Sequence, residues 1–418
     1  MNIKLTNALI PSLDNMTISE GCVIVEGNSI VYVGDTPNDN DKVYDRVIDL
    51  KGNLILPGFC NAHTHSAMAF LRSYADDLPL HSWLKDDVFP NEDKLTPEDI
   101  YVLCKLAVAE YLTSGITSCF DMYFFPDTAV KAFVDTGFRC TFCGAKLENL
   151  EEYYTTLNNV SDLITFKLGF HAEYTTPMEQ MKEAAALSQK YKAPVWCHNS
   201  ETKSEVEGCI ERYGMTPTKL MDSIGMFEYG GGGFHCVHVN DEDADIFRRH
   251  NMTAVTCPCS NSKLASGIAK LDKFTDRGVN LAIGTDGAAS NNALDMFREM
   301  YLMTVLQKLD KDDAAAMPAQ TVLRAACEGG ARAMGLDRCG RIEAGYLADF
   351  TVIDMHSPNM RPRNNILKNI VYSGSKSNVM LTAVNGKILY KNGEFFIGED
   401  IEDIYTKAEG ICKRIFEG

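Results

Sequence analysis

The sequence predicts a (β/α)8 TIM barrel joined to a small β-sandwich domain that both ends of the chain form. Eight short runs rich in apolar and β-branched residues are separated by segments with helical start signals and helical spacing. Strands that alternate with helices favour a parallel sheet, and eight such units are typical of a TIM barrel. Strand-like runs punctuated by turn residues occur at both ends of the chain and predict the second domain.

The predicted elements follow in order along the chain. The predicted barrel strands span residues 54–65, 117–124, 140–147, 166–174, 193–201, 232–239, 253–261 and 280–287. Helices are predicted between them, for example after Thr96 and after Thr176, where a proline follows a capping side chain. The predicted strands of the β-domain are residues 22–25, 30–34, 350–354 and 379–389, and residues 401–416 form a helical tail. We therefore expect a β-domain made from residues 1–56 and 341–418, with a catalytic barrel at residues 57–340.

Composition and charge exclude several functional classes. The 418 residues include 40 Lys and Arg against 57 Asp and Glu, which gives a formal net charge of −17. This excess of acid disfavours attraction to nucleic-acid polymers and to anionic membranes, so we expect neither as a partner. No apolar run approaches the roughly 20 residues that a bilayer span needs, and the start of the chain leads into no signal-type segment. We expect a cytoplasmic protein with its fourteen cysteines reduced.

Four clusters of metal-binding or titratable residues lie at the predicted C-terminal ends of strands, where barrel enzymes build their active sites. Residues two apart in a strand point to the same side, so a His-x-His pair can address one ion. Each cluster alone also fits a structural role, such as a core histidine or an aspartate that caps a helix. The clusters are His63 with His65 on strand one, His198 with Glu201 on strand five, His235 with His238 on strand six, and Asp286 on strand eight.

The spacing of these residues resembles the amidohydrolase superfamily over essentially the whole chain. The resemblance rests on residues 57–65 (PGFCNAHTH), on the histidines of strands five and six, on Asp286, and on residues 340–350 (GRIEAGYLADF). Within the superfamily the chain is similar to the 5'-methylthioadenosine/S-adenosylhomocysteine deaminases. The motifs that carry this similarity are residues 71–72 (LR), 89–93 (FPNED), His198 with Glu201, and residues 284–292 (GTDGAASNN).

The resemblance implies one divalent metal ion per subunit, with zinc favoured and iron or manganese as alternatives. The implied ligands are His63, His65, His198 and Asp286. Members that hold two metals place a carboxylated lysine at the end of strand four. This chain has His171 there and Lys167 earlier in the strand, which favours a single ion.

The implied reaction is hydrolytic deamination of the 6-amino group of an adenosine-type nucleoside. Glu201 would protonate N1 of the purine, Asp286 would transfer a proton from water to the departing ammonia, and His235 would orient the water, in preference to His238. Glu92 would bind the ribose hydroxyls, and His171 the purine and sugar. Trp83, Phe89 and Ser290 are further candidates for substrate binding, and a core role is equally open for Trp83 and Phe89.

The substrate and the assembly state stay open. Family members that take S-adenosylhomocysteine place an arginine near the end of strand three, where this chain has Gly144, and Lys146 replaces it only if it points inward. Adenosine, 5'-deoxyadenosine and 5'-methylthioadenosine need no such clamp. The alternatives are an aminohydrolase of guanine, 8-oxoguanine, a pterin or an s-triazine, and a non-catalytic assembly protein. A homodimer or homotetramer is compatible with the sequence.

Overall fold

The computed structural model describes residues 2–38, 42–78 and 83–417, and its strands form two sheets. The strands are β1 (Asn2–Ser12), β2 (Thr17–Glu26), β3 (Ser29–Gly34), β4 (Arg46–Asp49), β5 (Leu54–Pro57), β6 (Phe59–Thr64), β7 (Ile116–Met122), β8 (Arg139–Cys143), β9 (Ile164–Ala172), β10 (Val195–Asn199), β11 (Gly231–His235), β12 (Thr253–Thr256), β13 (Asn280–Ile283), β14 (Phe350–Ile353), β15 (Val379–Val384), β16 (Lys387–Lys391) and β17 (Glu394–Phe395).

Helices connect the strands. The α-helices are α1 (Phe89–Glu92), α2 (Pro97–Thr113), α3 (Pro126–Thr136), α4 (Leu150–Leu157), α5 (Met178–Tyr191), α6 (Lys203–Tyr213), α7 (Pro217–Ser223), α8 (Asp241–Arg249), α9 (Pro258–Lys263), α10 (Asp272–Thr275), α11 (Ala288–Asn291), α12 (Met296–Lys311), α13 (Ala319–Arg324), α14 (Gly330–Met334), α15 (Ile366–Tyr372) and α16 (Ile401–Glu417). Short 3-10 turns lie at Ser66–Leu71, Glu173–Thr175, Pro358–Met360 and Lys376–Asn378, and π-helical turns at Trp83–Val88 and Ala325–Gly329. Among the described residues, no helix is both long and apolar enough to span a membrane.

Strands β6 to β13 form an eight-stranded parallel barrel in chain order, which confirms the predicted fold class. The run predicted at residues 54–65 is two strands, because the chain turns at Gly58 from the other sheet into the barrel. A Cβ at Gly58 would lie 2.0 Å from Thr117 Oγ1, so only glycine fits this corner. The run predicted at residues 253–261 ends as a strand at Thr256, because Pro258 begins a helix.

The first and last barrel strands meet through a side chain. Asn61 Oδ1 accepts a hydrogen bond from the backbone N–H of Thr285 (2.8 Å), and Asn61 Nδ2 donates to Thr285 Oγ1 (2.7 Å). The backbone N–H of Asp286 donates to the carbonyl oxygen of His63 (3.0 Å). A Cβ at Gly284 would lie 2.8 Å from that carbonyl oxygen, so glycine permits the close approach. The seam therefore places His63 and Asp286 side by side.

Aromatic rings fill the barrel interior below this seam. Phe120, Trp196 and Phe234 are buried, with ring centroids 4.9 to 5.6 Å apart. The ring of Phe234 stacks on the imidazole of His63 at 4.0 Å. The packed interior thus supports the histidine at the mouth of the barrel.

The second sheet has nine strands and comes from both ends of the chain, as predicted. Strand β1 pairs antiparallel with β2 and parallel with β4 and β5, and β14 pairs antiparallel with β5. This sheet encloses its own apolar core, which includes Leu5, Val23 and Phe350. The boundaries at residues 56 and 340 stay predictions.

A buried ion pair joins the barrel to this sheet. Arg139 Nε and Nη2 donate to the two carboxylate oxygens of Asp349 at 2.6 and 3.2 Å. Asp349 also accepts from the backbone N–H of Asn385 (2.6 Å), and both members of the pair are buried. Arg139 opens β8 and Asp349 directly precedes β14, so this pair holds the two cores together.

We expect Asp349→Ala to lower the free energy of unfolding by about 3–5 kcal/mol, because it leaves the Arg139 guanidinium buried without a partner. Urea denaturation followed by circular dichroism measures the change. The control is Glu179→Ala, which removes an exposed partner of Lys182 and should change stability little. An equally small effect of Asp349→Ala would contradict the structural role of the buried pair.

Candidate active site

Donor atoms from strands β6 and β10 and from the segments that follow β6 and β13 converge at the C-terminal mouth of the barrel. Asp286 Oδ1 lies 3.6 Å from His63 Nε2 and 3.3 Å from His65 Nε2. His198 Nε2 lies 3.3 Å from His65 Nε2. The structure therefore brings together the four predicted metal ligands, all of them buried.

The backbone orients two of these imidazoles. His65 Nδ1 donates to the carbonyl oxygen of Met122 (2.6 Å), and His198 Nδ1 donates to the carbonyl oxygen of His171 (2.7 Å). Because a carbonyl only accepts, Nδ1 of each ring carries a proton, and Nε2 is the nitrogen that faces the cluster. This is the arrangement in which histidines bind metals.

The surroundings of the third imidazole, that of His63, indicate whether the cluster fits a metal. Both ring nitrogens of His63 are buried and have no hydrogen-bond partner in the described part of the chain. Burial, reinforced by the neighbouring imidazoles, holds the pKa of His63 and of His198 well below the usual histidine value. Both rings are therefore neutral and have a nitrogen lone pair available for a metal ion. A buried unpaired nitrogen is unfavourable unless it has a ligand. Two overlapping groups of three, His63 with His65 and Asp286 and His63 with His198 and His235, each have their ligand atoms within 4.8 Å of one another. Imidazole nitrogens and a carboxylate oxygen this close together fit a divalent metal ion.

Two hydroxyl groups hold the carboxylate of Asp286 in place. Its Oδ2 accepts from Ser260 Oγ (2.6 Å) and from Ser290 Oγ (2.7 Å), which leaves Oδ1 for the histidines. Burial alone would raise the pKa of Asp286, but His235, His65 and these two hydroxyls outweigh it and lower the pKa. Ser290, a predicted substrate contact, thus binds Asp286, and its contact with substrate stays a prediction.

Glu201 lies beside the metal-type cluster, and His235 forms one of its groups of three together with His63 and His198. Glu201 Oε2 is 3.9 Å from His235 Nε2, and burial raises the pKa of the Glu201 carboxyl above the usual value. His235 Nδ1 is 2.8 Å from Asn261 Oδ1, which orients the ring. By contrast, His238 Nε2 lies 2.8 Å from the carbonyl oxygen of Ser266. Of the two histidines near the end of strand β11, His235 is therefore the one next to Glu201.

A cavity of about 550 Å³ opens onto the outer side of the cluster. Of the predicted contacts, Glu92, His171 and Phe89 line it, and His65 forms part of its base. The predicted substrate contacts Glu201 and Ser290 are absent from the described lining, and so is Trp83, which is buried in the apolar core. The neighbouring Leu84 reaches the cavity instead.

The cavity lining carries further polar groups. Glu92 accepts a hydrogen bond from the hydroxyl of Tyr123 (2.5 Å), and burial raises the pKa of Glu92 to about 7. His171 Nδ1 lies 2.8 Å from Thr175 Oγ1. Lys146 also lines the cavity, with Nζ 4.6 Å from the ring centre of Phe124. A Cβ at Gly144 would lie 2.3 Å from Leu150 Cδ1, so an arginine does not fit there without movement of Leu150.

Three polar residues of the site were not among the predicted ones: Tyr123, Ser260 and Asn261. All three lie in the last residues of a predicted barrel strand, 117–124 or 253–261, and in the structure they follow strand β7 or strand β12. That position was the available signal, since loops at this face of a barrel carry functional residues. Their side chains are common in loops, so position alone does not distinguish them.

Comparison with known proteins identifies the family. A family model described as the amidohydrolase family matches residues 54–389. The chain belongs to the amidohydrolase family. This result confirms the family that the sequence resembles, and metal-type residues at the mouth of the barrel are consistent with it.

Several relatives of this amidohydrolase match along nearly their whole length. A 5-methylthioadenosine/S-adenosylhomocysteine deaminase from Thermoanaerobacter pseudethanolicus is 37% identical, with 100% of each chain covered. A protein of the same name from Pyrococcus furiosus is 38% identical over 96% of this chain and 99% of its own. The crystal structure of an adenosine deaminase from Xanthomonas campestris with bound zinc superposes with a TM-score of 0.93 at 30% identity, over 100% of this chain and 98% of that one.

We expect His63→Ala to weaken metal binding by roughly 100-fold or more, because it removes a ligand from the centre of the cluster. Competition with a chromophoric chelator measures the affinity. The matched control is His238→Ala, since the imidazole of His238 binds the backbone of Ser266 and not the cluster. Wild-type affinity in the His63 variant would remove His63 from the metal site.

Proposed function

We propose that this amidohydrolase is a metal-dependent deaminase that converts the 6-amino group of an adenosine-type nucleoside to an oxo group and releases ammonia. The observation that carries the proposal is Glu201, a buried carboxyl group of raised pKa beside a cluster that fits a divalent metal. A group of this kind suits proton delivery to a ring nitrogen at neutral pH. The names of the relatives at 37% and 38% identity support the same substrate class.

The reaction requires three proton movements that the side chains can perform. Glu201, protonated, donates to N1 of the purine and makes C6 more electrophilic. Asp286, held as a carboxylate, accepts a proton from the attacking water and passes it to the departing amine. His235, fixed by Asn261, accepts or donates a hydrogen bond at the position of the water. A divalent ion held by His63, His65, His198 and Asp286 would supply Lewis-acid activation of that water.

We propose a single zinc ion per subunit. Three imidazoles and a carboxylate suit zinc, and iron or manganese accept the same ligands. A second metal of the bridged type would need a lysine at the end of β9. The lysine of that strand is Lys167. Its Nζ lies 3.0 Å from the position that a Cβ on Gly335 would take, and Gly335 directly follows helix α14. The Lys167 side chain therefore extends toward the end of that helix and not toward the metal-type cluster.

The lining of the cavity supports a nucleoside rather than a free base. A carboxylate can accept hydrogen bonds from two vicinal hydroxyls, which suits Glu92 for the ribose. Adenosine, 5'-deoxyadenosine and 5'-methylthioadenosine are the proposed substrates. This chain has Gly144 where family members that take S-adenosylhomocysteine place an arginine. S-adenosylhomocysteine stays among the proposed substrates because Lys146 lines the cavity and can pair with the carboxylate of its amino-acid part. The cytoplasmic location and a homodimer or homotetramer remain predictions.

A substrate panel tests the proposal. Ammonia release is measured with the zinc-loaded protein on adenosine, 5'-deoxyadenosine, 5'-methylthioadenosine, S-adenosylhomocysteine, guanine and 8-oxoguanine. We expect the highest kcat/KM on one of the adenosine-type nucleosides. Preference for guanine or 8-oxoguanine would contradict the proposed substrate class, and release from none of them would contradict a purine deaminase.

Glu201→Gln should lower kcat by roughly 100-fold to 10,000-fold while the metal content stays at the wild-type value, because the amide cannot deliver the proton. Steady-state kinetics and elemental analysis of the same preparation provide the two readouts. Glu207→Gln is the matched control, since Glu207 lies exposed on the following helix and pairs with Lys203. An active Glu201 variant would exclude Glu201 as the acid.

Glu92→Ala should lower kcat/KM for the preferred nucleoside by roughly tenfold to 100-fold, which corresponds to the loss of hydrogen bonds to a charged group. Free adenine lacks the hydroxyls, so its kcat/KM should change little. Glu148→Ala removes another carboxylate from the cavity lining and is the control. Equal losses for nucleoside and base would contradict the ribose contact.

The same contact predicts a pH dependence. The pKa of Glu92 is about 7, so the carboxylate that accepts from the ribose forms as the pH rises through 7. We expect KM for the nucleoside to fall over this range in the wild type and to lose this dependence in Glu92→Ala. An unchanged pH profile in the variant would assign the titration to another group.

A further inference from the structure

A buried carboxylate behind the site joins two of its loops. Glu299 lies on helix α12 and is fully buried (0% exposed). Its Oε2 accepts a hydrogen bond from the backbone N–H of Cys259 (3.0 Å), and its Oε1 accepts from Asn291 Nδ2 (2.6 Å). Glu299 is absent from the described lining of the substrate cavity. Its two contacts therefore connect the segments that follow strands β12 and β13.

The first segment presents two groups to the site. Cys259 belongs to the first turn of helix α9, and the next two residues are Ser260 and Asn261. Ser260 donates to Asp286 Oδ2 (2.6 Å), and Asn261 Oδ1 lies 2.8 Å from His235 Nδ1. The backbone that Glu299 holds is thus the backbone that carries both contacts.

The second segment, which follows β13, contacts both Glu299 and the carboxylate of Asp286. Asn291 Nδ2 donates to the carbonyl oxygen of Thr285 (2.6 Å) as well as to Glu299. Its neighbour Ser290 donates to Asp286 Oδ2 (2.7 Å). Both hydroxyls that fix the Asp286 carboxylate therefore belong to segments that Glu299 anchors.

The burial of Glu299 calls for an explanation beyond stability. The hydrogen-bond partners of its carboxylate are uncharged groups of Cys259 and Asn291. Burial raises the pKa of Glu299 to about 7, although these hydrogen bonds and the charge of Arg298 act in the opposite direction. A buried carboxylate with neutral partners is less favourable than an apolar side chain of similar size. Two directed hydrogen bonds to separate loops are what such a group provides and an apolar side chain does not.

We propose that Glu299 is a positioning residue for the deamination, which fixes Asp286 and His235 relative to each other by joining the segments after β12 and β13. The inference rests on the proposed function for its kinetic consequence. Its structural consequence, the orientation of the Asp286 carboxylate in the metal site, does not require that function.

The test compares Glu299→Gln with a matched buried carboxyl group. Glutamine has nearly the same shape, but its amide nitrogen replaces one acceptor, so one of the two donors loses its partner. Asp243→Asn is the control, because Asp243 is buried and accepts from the backbone N–H of Asn240 (3.2 Å) and from Thr216, in contact with neither segment. Both variants are expected to lower the melting temperature.

The two variants should differ at the site. For Glu299→Gln we expect kcat to fall at least roughly tenfold, with KM and metal content within about twofold of wild type. For Asp243→Asn we expect all three within about twofold. Ser260→Ala combined with Glu299→Gln should lower kcat by less than the product of the single effects, because both act on the same Asp286 carboxylate.

The d–d absorption spectrum of the Co²⁺-loaded protein reports on the geometry of the metal site and does not depend on enzymatic activity. Glu299→Gln should shift the bands, because the Asp286 carboxylate changes orientation, and Asp243→Asn should not. An unshifted spectrum, or an unchanged kcat with only a lower melting temperature, would overturn the inference. A wild-type protein inactive on every purine would contradict the proposed function while the spectrum still tests the positioning. If Glu299→Gln does not fold, Asn291→Ser removes the Oε1 donor and tests the same arrangement.

Discussion

Lone pairs from three buried imidazoles and one carboxylate point at the same small volume, and the rest of the site depends on this arrangement. Both ring nitrogens of His63 lack a hydrogen-bond partner among the described residues, and a divalent ion would give one of them a partner. With such an ion bound, the Nε2 lone pairs of His65 and His198 and one carboxylate oxygen of Asp286 would also become ligands. Metal binding and the order of the barrel mouth are therefore linked.

The fold provides the constraints that hold this arrangement. Asn61 and Gly284 close the barrel so that the first and last strands bring His63 and Asp286 together. Carbonyl oxygens fix the tautomers of His65 and His198. These contacts involve groups around the proposed metal ligands, and each restricts the rotation of a ligand side chain. Catalysis by positioned proton donors and acceptors requires this restriction.

Local patterns in the sequence predicted the fold class and the residue types of the site. Alternating apolar runs and helical segments identify a parallel barrel because each run is short and each strand is buried on both faces. The His-x-His pair could be predicted to bind one ion because strand geometry places the side chains of residues 63 and 65 on the same side. The predicted first strand continued through Gly58, where the chain passes from one sheet into the other, since an apolar run carries no sign of which sheet it joins.

Long-range contacts were beyond the sequence. Asn61 pairs with a residue 224 positions away, and the motif at residues 57–65 that contains it gives no sign of that partner. The same holds for Ser260, Asn261 and Glu299, whose roles arise only when the loops after β12 and β13 meet. Trp83 illustrates the reverse case, because an aromatic residue near the mouth of a barrel can fill either the core or the cavity, and here it lies in the core.

The central claim is that one divalent metal, held by residues from β6, β10 and the loop after β13, makes this chain a deaminase of adenosine-type nucleosides. The most direct test is a titration of the metal-free protein with Zn²⁺, in which bound metal and deamination of the preferred nucleoside are measured on the same samples. We expect activity to be absent at the start, to rise in proportion to bound zinc and to reach its maximum at one ion per chain. Full activity without metal, or a maximum that requires two ions per chain, would contradict it.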